Sequence, residues 1–107
     1  MIGADFLTHP DGRLAGFTIR GHADYGEAGS DIVCAAVSSA AYLVVNTVTD
    51  VLHETPLALR AEEGDLYFRA EQKDEETCRP LLEGLKLHLQ QLEEQFPDHL
   101  RVGTIEI

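Results

Sequence analysis

Basic residues are what this chain has least of for its size: eight Lys and Arg against 19 Asp and Glu in 107 residues, a formal charge of −11. A phosphate backbone is gripped by clustered Lys and Arg, so the shortage argues against nucleic acid as a direct ligand. It argues equally against an anionic membrane surface. Cysteine is scarce too. Two cysteines are too few for a disulfide framework. A single domain of this length needs none, because it buries about two-thirds of its unfolded surface. The opening Met1-Ile2-Gly3-Ala4-Asp5 has neither a basic segment nor a long apolar one and does not read as a signal peptide. The longest apolar stretch, after Asp31, is broken by Ser38, Ser39, Asn46 and Thr47 and does not read as a membrane span. Linkers, low-complexity tracts and solenoid repeats are missing. His22, Cys34, His53, Cys78, His88 and His99 lack the paired spacing of a zinc site, so no metal or other cofactor is expected. The reading is one cytoplasmic domain over residues 1–107. Its acidity either keeps it soluble or draws in basic partners.

What is present is regular patterning. Ile2 to Leu7 and Leu14 to Arg20 read as strands joined by the His9-Pro10-Asp11-Gly12-Arg13 turn. A glycine-rich loop from Gly21 to Ser30 follows. Ser30 or Asp31 caps a helix expected to reach about Leu52. That helix is apolar nearly all round (Ile32, Val33, Val37, Leu43, Val44, Val45, Val48, Val51), which implies cover on more than one side. Pro56 breaks the chain, and Leu57 to Ala61 and Leu66 to Ala70 form a second hairpin around Glu62-Glu63-Gly64-Asp65. A second helix is expected from near Thr77, with Pro80 in its first turn and Pro97 ending it. Cys78, Leu81, Leu82, Leu85, Leu89, Leu92 and Phe96 form its apolar stripe. His99 to Ile107 closes the chain as a strand burying Leu100 and Val102, with Ile105 and Ile107 as further core candidates. The order ββαββαβ implies an α+β fold, a single domain with two helices packed on a mostly antiparallel sheet.

Chemistry concentrates where the second strand gives way to the first helix. Cys34 falls in the first helical turn, where free N–H groups and the helix dipole favour a thiolate and could hold an oxyanion. The nearby Asp31 carboxylate opposes a second anion unless capping engages it. Cys34 is either such a nucleophile or a small buried thiol inert in the core. His22, twelve residues earlier, is either a general base for that thiol or a strand-end histidine bonded to backbone. Both lie at one edge of the sheet. Ser38, four residues after Cys34, shares its helix face, to bind substrate or to bond back to its own helix. Asp24 or Asp31 could orient the imidazole. The loop itself carries three carboxylates through Asp31 and no Lys or Arg, so it repels phosphate; a lid that closes over an extended peptide suits its glycines better.

At Gly21-His22-Ala23 and Asp31-Ile32-Val33-Cys34-Ala35-Ala36-Val37-Ser38 the chain resembles the ribosomal-processing cysteine protease family, Prp. Gly84-Leu85 and Glu93-Glu94-Gln95-Phe96-Pro97 extend the resemblance to the second helix. It implies a cysteine endopeptidase with Cys34 as nucleophile, His22 as general base, and Asp31 and Ser38 in support. Gly21 would let backbone approach the substrate. It further implies a homodimer that removes the N-terminal extension of ribosomal protein L twenty-seven, a basic partner in keeping with the acidic charge. The rival readings are a non-catalytic acidic binding module or assembly factor for a basic ribosomal protein, and a thiol redox sensor using Cys34.

Overall fold

A computed structural model describes residues 1–22 and 31–107. Of the lid expected from Gly21 to Ser30, residues 23–30 lie outside the described residues. Strands β1 (Ile2–Thr8) and β2 (Leu14–Arg20) form the first hairpin. Helix α1 (Ile32–Asn46) continues through a π-helical turn, Thr47–Val51. Strands β3 (Ala58–Glu62) and β4 (Asp65–Arg69) make the second hairpin. A short 3₁₀ turn leads into α2 (Glu75–Gln95), and β5 (Leu100–Glu106) ends the order ββαββαβ. The sheet runs β3-β4-β2-β1-β5, with only the β1–β5 pair parallel.

Period-2 alternation builds one apolar face on this sheet. The register sets Phe6 beside Phe17 and Phe17 beside Phe68. Their ring centroids lie 6.2 and 5.6 Å apart, and all three rings are fully buried. Burying each such ring stabilises by about 1.5–3 kcal/mol. The two helices cover this face. Val33, Val37, Ala41, Val44, Val45 and Val48 come from the first helical segment, and Cys78, Leu82, Leu85 and Leu89 from α2.

Several expectations need correcting. The first helix is not enclosed on more than one side. Its valine face is buried, but Ile32 is 55% exposed and Leu43 68% exposed, because a single sheet and one neighbouring helix cover only one flank. By length and composition alone Ile32–Val51 could cross a bilayer; here its valine face is built into the core. Ile105 and Ile107 are exposed rather than buried. Ile105 pairs with Leu7 on the face turned away from the helices, at the open edge of the sheet. Helix α2 begins at Glu75, so Pro80 lies beyond its first turn. The N–H that Pro80 lacks would have bonded to the carbonyl of Glu76, and both residues are exposed, so water can satisfy that carbonyl.

Candidate active site

Three pieces of chain meet at one end of the sheet. The first is the end of β2. Gly21 has φ +92°, and its N–H donates to the Gly64 carbonyl at 3.0 Å, tying β2 to the β3–β4 turn. Gly64 also has positive φ, +74°, and a Cβ there would stand 3.1 Å from His22 Nε2. The His22 ring therefore rests against a turn that only glycine leaves open.

The second piece is the start of α1. Asp31 caps it in extended conformation, its carboxylate accepting from the Val33 N–H at 3.1 Å and the Cys34 N–H at 3.0 Å. Cys34 is the third helical residue and half-buried. The capping answers one question raised by the sequence: the Asp31 charge is engaged by backbone donors beside the thiol. It also corrects another expectation. The N–H groups of Val33 and Cys34 are occupied by Asp31 and are not open donors for an oxyanion. Asp31→Ala should cost about 1 kcal/mol of stability, whereas Asp31→Asn, which keeps an acceptor oxygen, should cost only a few tenths. Urea unfolding of the two variants checks this, and equal midpoints would show that the cap contributes nothing.

The third piece is the acidic β3–β4 turn. Gly21, His22, Asp31, Cys34 and Ser38 all line one cavity of about 770 Å³. Tyr42 extends its helical wall by another turn, and Glu62, Glu63, Gly64 and Asp65 close the facing side. These five site residues named from the sequence thus reach one recess; Asp24, the other candidate to orient the imidazole, lies outside the described residues. Neither the β3–β4 turn nor Tyr42 carries a sequence signal for the site, since nothing local in Glu62-Glu63-Gly64-Asp65 marks it as more than a hairpin turn. Its place follows from β4 pairing with β2, a non-local fact.

The other thiol is of a different kind. Cys78 is fully buried, and burial together with the Glu54 carboxylate pushes its pKa up to about 11. Its Sγ lies 3.8 Å from Glu54 Oε1, and both cysteines are free. Cys78 packs in the α2 stripe, as its spacing predicts, and makes no bridge to Cys34.

A capped helix presenting a half-buried thiol, and a histidine opening on the same cavity, are the parts of a thiol-dependent hydrolase on an α+β scaffold. The family model described as Cysteine protease Prp matches residues 1–101, and the chain belongs to that family. The protein is accordingly a cysteine protease, and the non-catalytic alternative gives way.

The ribosomal processing cysteine protease Prp of Staphylococcus aureus is 28% identical over 104 residues, 96% of this chain and 98% of the relative. That of Bacillus subtilis is 29% identical over 109 residues, 97% of each. Among solved structures, the S. aureus protease with a covalently linked product peptide aligns with TM-score 0.88 and 27% identity, covering 98% of this chain and all of that one. SMU.848 from Streptococcus mutans aligns with TM-score 0.80 and 30% identity, covering 100% and 96%.

Proposed function

We propose that the protein is an endopeptidase working through a Cys34–His22 dyad, with Asp31 and Ser38 in support and Gly21 admitting the substrate backbone. The observation that carries this reading is the convergence of Cys34 and His22, from separate elements, on one cavity. Sγ attacks the scissile carbonyl carbon as His22 takes the thiol proton. The tetrahedral intermediate then collapses: the C–N bond breaks, and His22 passes its proton to the leaving amine. Water, deprotonated by His22, attacks the thioester. The acid product leaves, and the thiol regains its proton.

The substrate is the N-terminal extension of a basic ribosomal protein, L twenty-seven, removed in the cytoplasm where ribosomes are assembled. Support comes from the relatives, named as ribosomal processing proteases, one of them solved in complex with a substrate peptide. The cavity itself adds an electrostatic argument. Glu62 and Glu63 line it with no ion pair among the described residues, in a chain of charge −11, and favour a cationic peptide, whereas Asp31 is engaged in the helix cap and Asp65 is paired with Arg60 and Arg20. The working unit is a homodimer. The open flank of the first helical segment, with Ile32, Leu43 and Val51 more than half exposed, supplies apolar surface for it.

Incubating the protein with a peptide spanning the host's own L twenty-seven N-terminus tests the reading; mass spectrometry should find two fragments. Alkylation gives an independent check. At neutral pH a small haloacetamide should modify Cys34 alone, because Cys78 is fully buried and its pKa is raised to about 11. Modification at Cys78 with Cys34 spared would contradict the assignment.

A further inference from the structure

At the other end of the sheet from the catalytic cavity, the β1–β2 turn meets the start of α2. A recess of about 250 Å³ opens there, lined by His9, Arg13, Lys73, Glu75, Glu76 and Arg79 among others. Three of the chain's eight Lys and Arg therefore line one small recess in a protein of charge −11. The carboxylates nearby do not account for them all. Glu75, 7% exposed, is engaged by His9 Nε2 at 2.7 Å. Arg13 is tied to Asp11, Nε to Oδ2, at 2.6 Å.

Lys73 and Arg79 make no ion pair among the described residues. The Arg79 Nε is buried with no hydrogen-bond partner. Leaving a buried donor unsatisfied costs on the order of 1–3 kcal/mol, and more when it belongs to a charged group. With 19 carboxylates in the chain, a neutralising partner was within easy reach of selection. The Nε itself is closed to any ligand, but Arg79 as a whole is only half-buried and lines the recess, so the outer part of its guanidinium is what an oxyanion meets there.

We propose that the recess binds a phosphate group, with Arg79 and Lys73 as its principal ligands and the half-exposed Arg13 beside them. A guanidinium fork suits paired phosphate oxygens, and the lining carries more cations than carboxylates, Arg13, Lys73 and Arg79 against Glu75 and Glu76. The start of the 21-residue α2 adds partial positive charge on the same side. Glu75 and Glu76 line the same recess and oppose the ligand, so binding is expected to be weak. The inference stands apart from the protease reading, since none of these residues touches the catalytic cavity.

The test is a titration of the full chain with inorganic phosphate at constant ionic strength, followed by ¹H–¹⁵N NMR, with chloride as control. Saturable shifts are expected at Lys73, Arg79 and the β1–β2 turn. Arg79→Gln should weaken binding by roughly tenfold or more, and Lys73→Gln by a smaller factor, with peptide cleavage unchanged in both. Arg79→Gln should also be no less stable than the parent in chloride buffer, because it removes a buried donor that has no partner. That separates lost binding from lost folding. A parallel titration with ribose 5-phosphate identifies the source of the group. Binding at least as tight as that of inorganic phosphate means a phosphate monoester; weaker binding means the free ion. Phosphate shifts matching those of chloride, or undiminished binding by Arg79→Gln, would overturn the proposal.

Discussion

Cys34→Ala is expected to fold like the parent and to lose peptide cleavage by on the order of 10⁴-fold or more. Cleavage through a thioester needs a sulfur to form it, and no second thiol can substitute. Cys78 is fully buried, with its pKa pushed up to about 11. The fold should tolerate the change because Cys34 is half-buried and the N-cap uses its backbone N–H, not its side chain. His22→Ala should lose a comparable factor, since the thiol would keep its proton and the leaving amine would receive none. His22 is exposed, so its removal opens no core cavity. The double variant should be little worse than either single one, because nucleophile and base act as a unit. The measurement is kcat/KM on the ribosomal peptide, with circular dichroism to confirm folding. Parental cleavage by purified Cys34→Ala would falsify the nucleophile assignment. Full loss in Cys34→Ala with parental rates in His22→Ala would keep the nucleophile and remove the base.

Much of this arrangement was legible in the chain, and the reason differs from element to element. In β1 Ile2, Ala4 and Phe6, and in β2 Phe17 and Ile19, recur at every second position about an Asp-Gly turn, so period and punctuation agree there. The start of α1 was legible because Asp31 is followed by an apolar run, and the capping bonds to Val33 and Cys34 are what such a residue makes at that place. Which flank of α1 stays open was not legible. Ile32 and Leu43 are as apolar as Val33 and Val44; periodicity reports that a face is apolar, not whether something covers it. Ile105 shows the same limit, because its exposure depends on which face of the edge strand the helices cover. The acidic wall of the cavity was hidden for a topological reason. Glu62 and Glu63 come beside His22 only because β4 crosses to pair with β2, and no residue within the turn encodes that choice. Pro80 misled in another way. Proline's cost in a helix is a lost hydrogen bond, and the exposed position of the orphaned carbonyl lowers that cost.

Gly21→Ala is expected to be the most damaging change outside the dyad, for two separable reasons. The residue sits at φ +92°, a region that L side chains adopt only under strain. A Cβ there would also stand 2.6 Å from the Met1 carbonyl oxygen, a backbone atom that cannot swing aside. Gly12 separates the two effects. Its φ is +93°, yet a Cβ at that position meets nothing within 4 Å. Gly12→Ala should therefore show the conformational cost alone, about 1–2 kcal/mol. Gly21→Ala should show that cost plus the clash, about 2–4 kcal/mol in all, or a fall in Tm of roughly 10 °C or more for a domain of this size. Relief of the clash must come from β2 moving away from Met1. That movement loosens the Gly21–Gly64 hydrogen bond and carries His22, the next residue, off its seat against Gly64. Cleavage should thus fall by at least a factor of ten under conditions where the variant remains folded, since small displacements of a catalytic group cost rate steeply. Gly12→Ala, at the opposite end of β2, should cleave like the parent. Urea unfolding and kcat/KM for the pair decide the matter: equal midpoints and equal rates in the two variants would show that the approach of Gly21 to Met1 neither holds the fold nor places the imidazole.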